Sequence, residues 1–147
     1  MFEFDDGRRP LYVARLRGSA TSADVEALEH HVLAMLRRAE SYAIIWDLSE
    51  AEFPHRSQIS RTMAVSKQMR VLSAELYDQA SPPIPAFAAY FLNPRMAKLV
   101  DFVNRMMPKS DVPTAVFSSY AEALRESERV LQSYGVRLPP AATRPTG

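Results

Sequence analysis

The chain is 147 residues long, enough for one domain that buries roughly two thirds of the surface its unfolded form exposes. It has no cysteine, which excludes disulfides, thiolate metal sites and cysteine nucleophiles. Lys and Arg total 18 against 17 Asp and Glu, and a net charge of +1 makes no electrostatic case for nucleic-acid binding. The opening MFEFDDGRRP has acids where a secretory leader has bases, and no apolar run approaches the ~20 residues of a membrane span, so a cytoplasmic protein without a transmembrane segment is expected.

Eleven prolines against four glycines fall between elements and punctuate them. Phe2 to Asp5 reads as a short edge strand, with Asp6-Gly7 as turn chemistry leading into a second strand, Leu11 to Arg17. Gly18 and Ser19 end that strand. Thr21 with Asp24 three residues on is a capping box for a helix whose Val25, Leu28, Val32, Met35, Leu36 and Ala39 keep a 3.6-residue period. Tyr42 to Leu48 is a short apolar run with β-branched and aromatic members, the pattern of a strand buried on both faces in a parallel sheet. Asp47 is then expected at its carboxyl edge, where α/β sheets bind ligands and partners.

A long segment from about Arg56 to Ala80, free of Gly and Pro, predicts the second helix, its stripe Val65, Met69, Leu72 and Leu76 widened by Ile59 and Met63. SPPIP ends it. Phe87 to Leu92 is the next buried strand, and Asn93-Pro94 caps and launches a third helix with Met96, Leu99, Val100, Val103, Met106 and Met107 on one face. Thr114 to Ser118 is the last strand, Ser119 with Glu122 a capping box, and Ala121 to Tyr134 the last helix, closed by Gly135. Residues 1–135 thus form one domain, and 136–147 read as a disordered tail. The fold class is α/β, a mostly parallel sheet of four to five strands with about four helices, in which Ile44, Ile45, Phe91 and Val116 are almost fully buried. Right-handed crossovers bring Gly18, Ser19, Asp47, Ser49, Asn93, Ser118 and Ser119 to one sheet edge.

RLRGSAT before the first helix, IIWDLS at the central strand and AVFSSYAEAL at the last strand-helix junction make the segment from Leu11 to Leu131 resemble the STAS/SpoIIAA-like superfamily of anti-sigma-factor antagonists, including its divergent STAS/SEC14-like branch. The resemblance implies a non-catalytic regulatory module of bacterial-type signalling that binds a protein. Its antagonists carry an Asp-Ser-Ser-Gly-like turn at the second helix, where a kinase phosphorylates one serine and releases the partner. Counted from Asp47, His55, Arg56, Ser57 and Gln58 stand there, so Ser57 takes the acceptor position without the acid before it or the glycine after it.

Each candidate residue has two roles open to it. Asp47 is a turn residue accepting backbone N–H bonds or a carboxylate facing a ligand or partner, and Ser57 is a helix cap or a phosphoacceptor. No acid lies between Phe53 and Ala74, and Arg56, Lys67 and Arg70 fall on one helical stripe, either a solvated face or a docking surface for an acidic protein, a phosphorylated group or anionic lipid. The seven methionines suit gap-filling core positions. His30 and His31 diverge on their helix and His55 stands alone, so no metal set forms, and no cofactor motif or catalytic constellation appears. The candidate binding residues are therefore Asp47, Ser49, Ser57, Asn93, Arg56, Lys67 and Arg70. The expected partner is a protein, a second copy of the chain included. The alternatives are a carrier or sensor of a small apolar ligand, suggested by the methionine and aromatic content and the SEC14-like branch, and an enzyme using Asp47 with Ser49 or Asn93.

Overall fold

A computed structural model describes residues 1–107, 109 and 111–140. Its element order is β1 (Phe2–Arg8), β2 (Leu11–Gly18), α1 (Ser22–Arg37), β3 (Tyr42–Ala51), α2 (Ile59–Ser73), β4 (Ala86–Leu92), α3 (Pro94–Met106), β5 (Thr114–Phe117) and α4 (Tyr120–Ser133). The five strands lie in the order β1-β2-β3-β4-β5, with β1 antiparallel to β2 and the remaining pairs parallel. Successive crossovers in one direction put α1, α2 and α3 on the same face, and α4 returns across the other. The α4 face holds Leu11, Ala43, Ile45, Phe87 and Ala89 against Ala123, Val130 and Leu131. The opposite face holds Tyr12, Ala14 and Ile44 against Val32, Leu33, Met35 and Leu36 of α1.

Local chemistry sets most boundaries. Thr21 and Asp24 form the expected reciprocal capping box, Asn93 accepts the Met96 N–H ahead of Pro94, and Gly135 takes the left-handed conformation (φ 79°) that closes α4. The second cap at Ser119 is half of the expected box. Its hydroxyl accepts the Glu122 N–H, but the Glu122 carboxylate accepts from Ser118 Oγ instead.

Other boundaries move. The first hairpin turns at Arg9-Pro10, not at Asp6-Gly7, because Asp5 Oδ1 accepts the Gly7 N–H (2.8 Å) and absorbs those residues into an irregularity within β1. The second helical segment begins as a 3-10 turn, Arg56–Gln58, and ends as a π-helical turn, Ala74–Asp78, that aims Tyr77 into the core. Ile59 opens α2 just past the 3-10 turn and is exposed, outside the stripe assigned to it. Val116 is 65% exposed, although expected in the core. It shares the face of its register partner Tyr90, but on that face α3 covers β3 and β4, and the four-residue edge strand β5 is covered on its other face, by α4. Phe91, near the end of β4, is half-buried, whereas Ile44 and Ile45 are buried as expected. In the segment read as tail, Val136 and Leu138 pack on the α4-face core and the Pro139 carbonyl accepts from Arg8 Nε; residues 141–147 lie outside the described residues.

Candidate functional site

The polar groups toward the carboxyl end of β3 bind one another. β3 runs four residues past Asp47, so this side chain lies within the strand, because β2 and β4 both continue to pair with β3 beyond it. Its Oδ2 accepts from Arg15 Nε (2.8 Å), and its Oδ1 accepts from the Ser49 hydroxyl (2.7 Å) and the Ser49 N–H (3.2 Å). Only 7% of the residue is exposed. Burial pushes its pKa up, but the Ser49 hydroxyl, Arg15 and the Ser49 N–H outweigh that and hold it below the ordinary carboxylate range. Arg15 also stacks over the Tyr120 ring, 5.6 Å from its centroid. Asn93 is equally occupied: its Nδ2 donates to the carbonyls of Leu48 (3.3 Å), Ser49 (3.1 Å) and Ala51 (2.9 Å), tying the end of β3 to the start of α3. Asp47, Ser49 and Asn93 are brought close together, and what they hold is the chain itself.

A carboxylate with a depressed folded pKa adds stability above its unfolded pKa, and this is lost as pH falls through the folded value. Asp47→Asn should therefore cost about 2 kcal/mol in urea unfolding at pH 7, the worth of a charged hydrogen-bond set, and the gap from wild type should shrink below about pH 4. Equal stabilities at pH 7 would mean that the carboxylate charge supports nothing.

Ser57 is exposed inside the 3-10 turn and is not the cap of α2. The imidazole of His55 caps that turn, its Nδ1 accepting the Ser57 N–H at 3.3 Å and lying 2.9 Å from the Ser57 hydroxyl. The basic stripe is divided. Arg56 and Lys67 are exposed, but Arg70 is half-buried and donates through Nη2 to Asn104 Oδ1 on α3, since the 3-10 turn shifts Arg56 out of helical phase and α3 draws Arg70 inward. A wider pattern contains all three. Between residues 54 and 110 cations outnumber acids eight to three, while over the rest of the chain acids outnumber cations fourteen to ten. The nearly neutral total therefore conceals a basic α2–α3 layer beside an acidic remainder. Among the described residues no group of three His, Asp or Glu side chains could hold a metal, and no helix is long and apolar enough to cross a membrane.

A cavity of about 470 Å³ lies between the sheet and helices α1, α2 and α3. Tyr42, Ile44, Trp46 and Leu48 of β3 and Ala88 and Tyr90 of β4 form its floor. The cavity is open to solvent along one side, and its lining is mostly apolar with a few charged residues, Asp24, Glu52, Arg70 and Lys109. Burial raises the pKa of the Tyr90 hydroxyl, and the charge of Arg70 pulls it partly back. Helical periodicity assigned the facing stripes to core and so missed this feature. The signal for it is at Thr62, Ser66 and Ser73, small hydroxyl residues at inward positions of α2 that cannot fill the space above the sheet.

No family model and no curated protein matches the chain. Among solved structures it is similar to the anti-sigma factor antagonist SpoIIAA in its unphosphorylated form, at 18% identity and a TM-score of 0.54, over 92% of this chain and 100% of that one. It is also similar to the Bacillus cell fate determinant SpoIIAA in the phosphorylated form, at 16% identity and a TM-score of 0.51, over 86% of this chain and 98% of that one. With a five-stranded sheet, one antiparallel edge and four helices, the chain has the fold of the STAS/SpoIIAA-like superfamily.

Proposed function

We propose that this is a non-catalytic regulatory module that binds a protein, docking an acidic surface of that partner on the outer faces of α2 and α3. The separation of charge carries the reading: the basic layer of α2 and α3 would steer an acidic partner and exclude basic ones. Exposed apolar side chains on the same layer, Ile59 on α2 with Phe102 and Met106 on α3, supply the anchors a docking surface needs among its charges. The fold is in keeping with it, as the similar structures are of an anti-sigma factor antagonist. Asp47, Ser49 and Asn93 are assigned to holding the sheet edge in shape, and Ser57 is assigned no switching role, since a phosphate there would meet the adjacent Arg56 and stay in place.

The test is affinity capture from the source organism with quantitative mass spectrometry, comparing wild type with Lys67→Glu/Lys98→Glu. Both lysines are exposed, so the double variant should keep its folding stability within about 0.5 kcal/mol. A protein held by the wild type should be recovered at least tenfold less by the variant. Ser57→Asp in the same assay should recover it as the wild type does. Undiminished recovery by the double variant would remove the docking face, and a stoichiometric phosphate at Ser57 with lost recovery in Ser57→Asp would restore a phosphorylation switch.

A further inference from the structure

α3 covers the cavity loosely. Of the apolar residues that α3 turns toward the sheet, Met96 is buried, whereas Leu99, Val100 and Val103 are only half-buried and line the cavity. Opposite them, α2 offers Thr62, Ser66, Met69 and Ser73 at helical spacing. Ser73 Oγ is enclosed and has no hydrogen-bond partner of ordinary geometry, although the Tyr42 hydroxyl lies beside it.

Dimensions decide the class of ligand. The floor runs from Tyr42 to Leu48, about 20 Å at the rise of a strand. A volume of about 470 Å³ spread over that length, with the radius of a water added at each wall, is a groove averaging about 8 Å across. A helix with its side chains is about 10–12 Å across and does not fit, whereas an unbranched hydrocarbon chain does. Charge decides its direction. Arg70, held across the α2–α3 gap by Asn104, and Lys109 lie on the side of the cavity that includes Thr114 at the start of β5. The acids Asp24 and Glu52 lie at the other end, beyond the carboxyl ends of β2 and β3. We propose that the cavity binds a long-chain carboxylic acid, its tail along β3 beneath α3 and its carboxylate at Arg70 and Lys109.

Trp46, the single tryptophan of the chain, is on the cavity floor, so its emission reports occupancy. Dodecanoate should saturate the Trp46 signal at one equivalent and raise the melting temperature. Octanoate should bind at least tenfold more weakly, since each buried methylene is worth about fourfold in affinity. Dodecanol, which lacks the charge, should bind several-fold more weakly than dodecanoate, and Arg70→Gln should abolish that preference. Val103→Phe, which fills the groove from the loosely packed α3, should abolish binding; if it does not fold, the chain-length series and the alcohol comparison on the wild type still decide. Lack of a Trp46 response and of a melting shift, affinity independent of chain length, or saturation by a sterol where dodecanoate fails would each overturn the proposal. It does not rest on the docking face: Lys67 and Lys98 are not among the lining residues, so Lys67→Glu/Lys98→Glu should bind dodecanoate as the wild type does.

Discussion

Tyr77→Ala should cost about 4 kcal/mol in urea unfolding, the range for removing a buried aromatic side chain, while Tyr77→Phe should cost about 1 kcal/mol. Tyr77 is fully buried, and its ring meets the edge of Tyr42 with centroids 5.3 Å apart. Its hydroxyl donates to the Leu36 carbonyl at 2.9 Å, a second bond to an acceptor that also takes the Ala39 N–H at the carboxyl end of α1. Burial pushes the hydroxyl pKa up to about 12, so it remains a donor throughout the neutral range. The Phe variant removes the hydrogen bond alone, and the Ala variant adds loss of the ring and a cavity where the π-helical turn crosses the core. A cost below about 1 kcal/mol for Tyr77→Ala would mean that this turn does not pack as described.

Ile45→Ala should cost about 2–5 kcal/mol, combining lost transfer energy with the cavity it leaves. Ile45 is fully buried at the centre of the sheet, paired in register with Val13 of β2 and Ala89 of β4, and covered by α4. It belongs to the face away from the ligand cavity, where the core is closed and collapse around a deletion is restricted. A loss under about 1 kcal/mol would contradict the position of β3 as the central strand.

What the sequence made legible is what neighbours in the chain decide. The box of Thr21 with Asp24, the Asn93-Pro94 start and the apolar run of β3 are read within a few residues, and each forms as expected. Asp47 shows the limit. Its Ser49 partner is two residues away and could be guessed, but Arg15 lies 32 residues upstream, and the bond to it turns an apparent edge carboxylate into an internal strut. Val116 fails for a related reason, because burial of a strand residue depends on which helix covers that part of the sheet, and periodicity within four residues does not carry that information. The cavity is harder still. It is a deficit of volume summed over α1, α2, α3 and two strands, and each contributing stripe taken alone is indistinguishable from packed core. The basic layer was half legible: the acid-free run ahead of Ala74 is visible in the chain, but its union with the cations of α3 needs the two helices side by side.

The docking claim is tested most directly by the salt dependence of the affinity between the purified chain and the protein it captures. The dissociation constant of the wild type should rise several-fold between low and moderately high ionic strength as screening shortens the reach of the α2–α3 charges, and Lys67→Glu/Lys98→Glu should start weaker and change less. An affinity that is indifferent to salt and equal in the two proteins would contradict a basic docking face on α2 and α3.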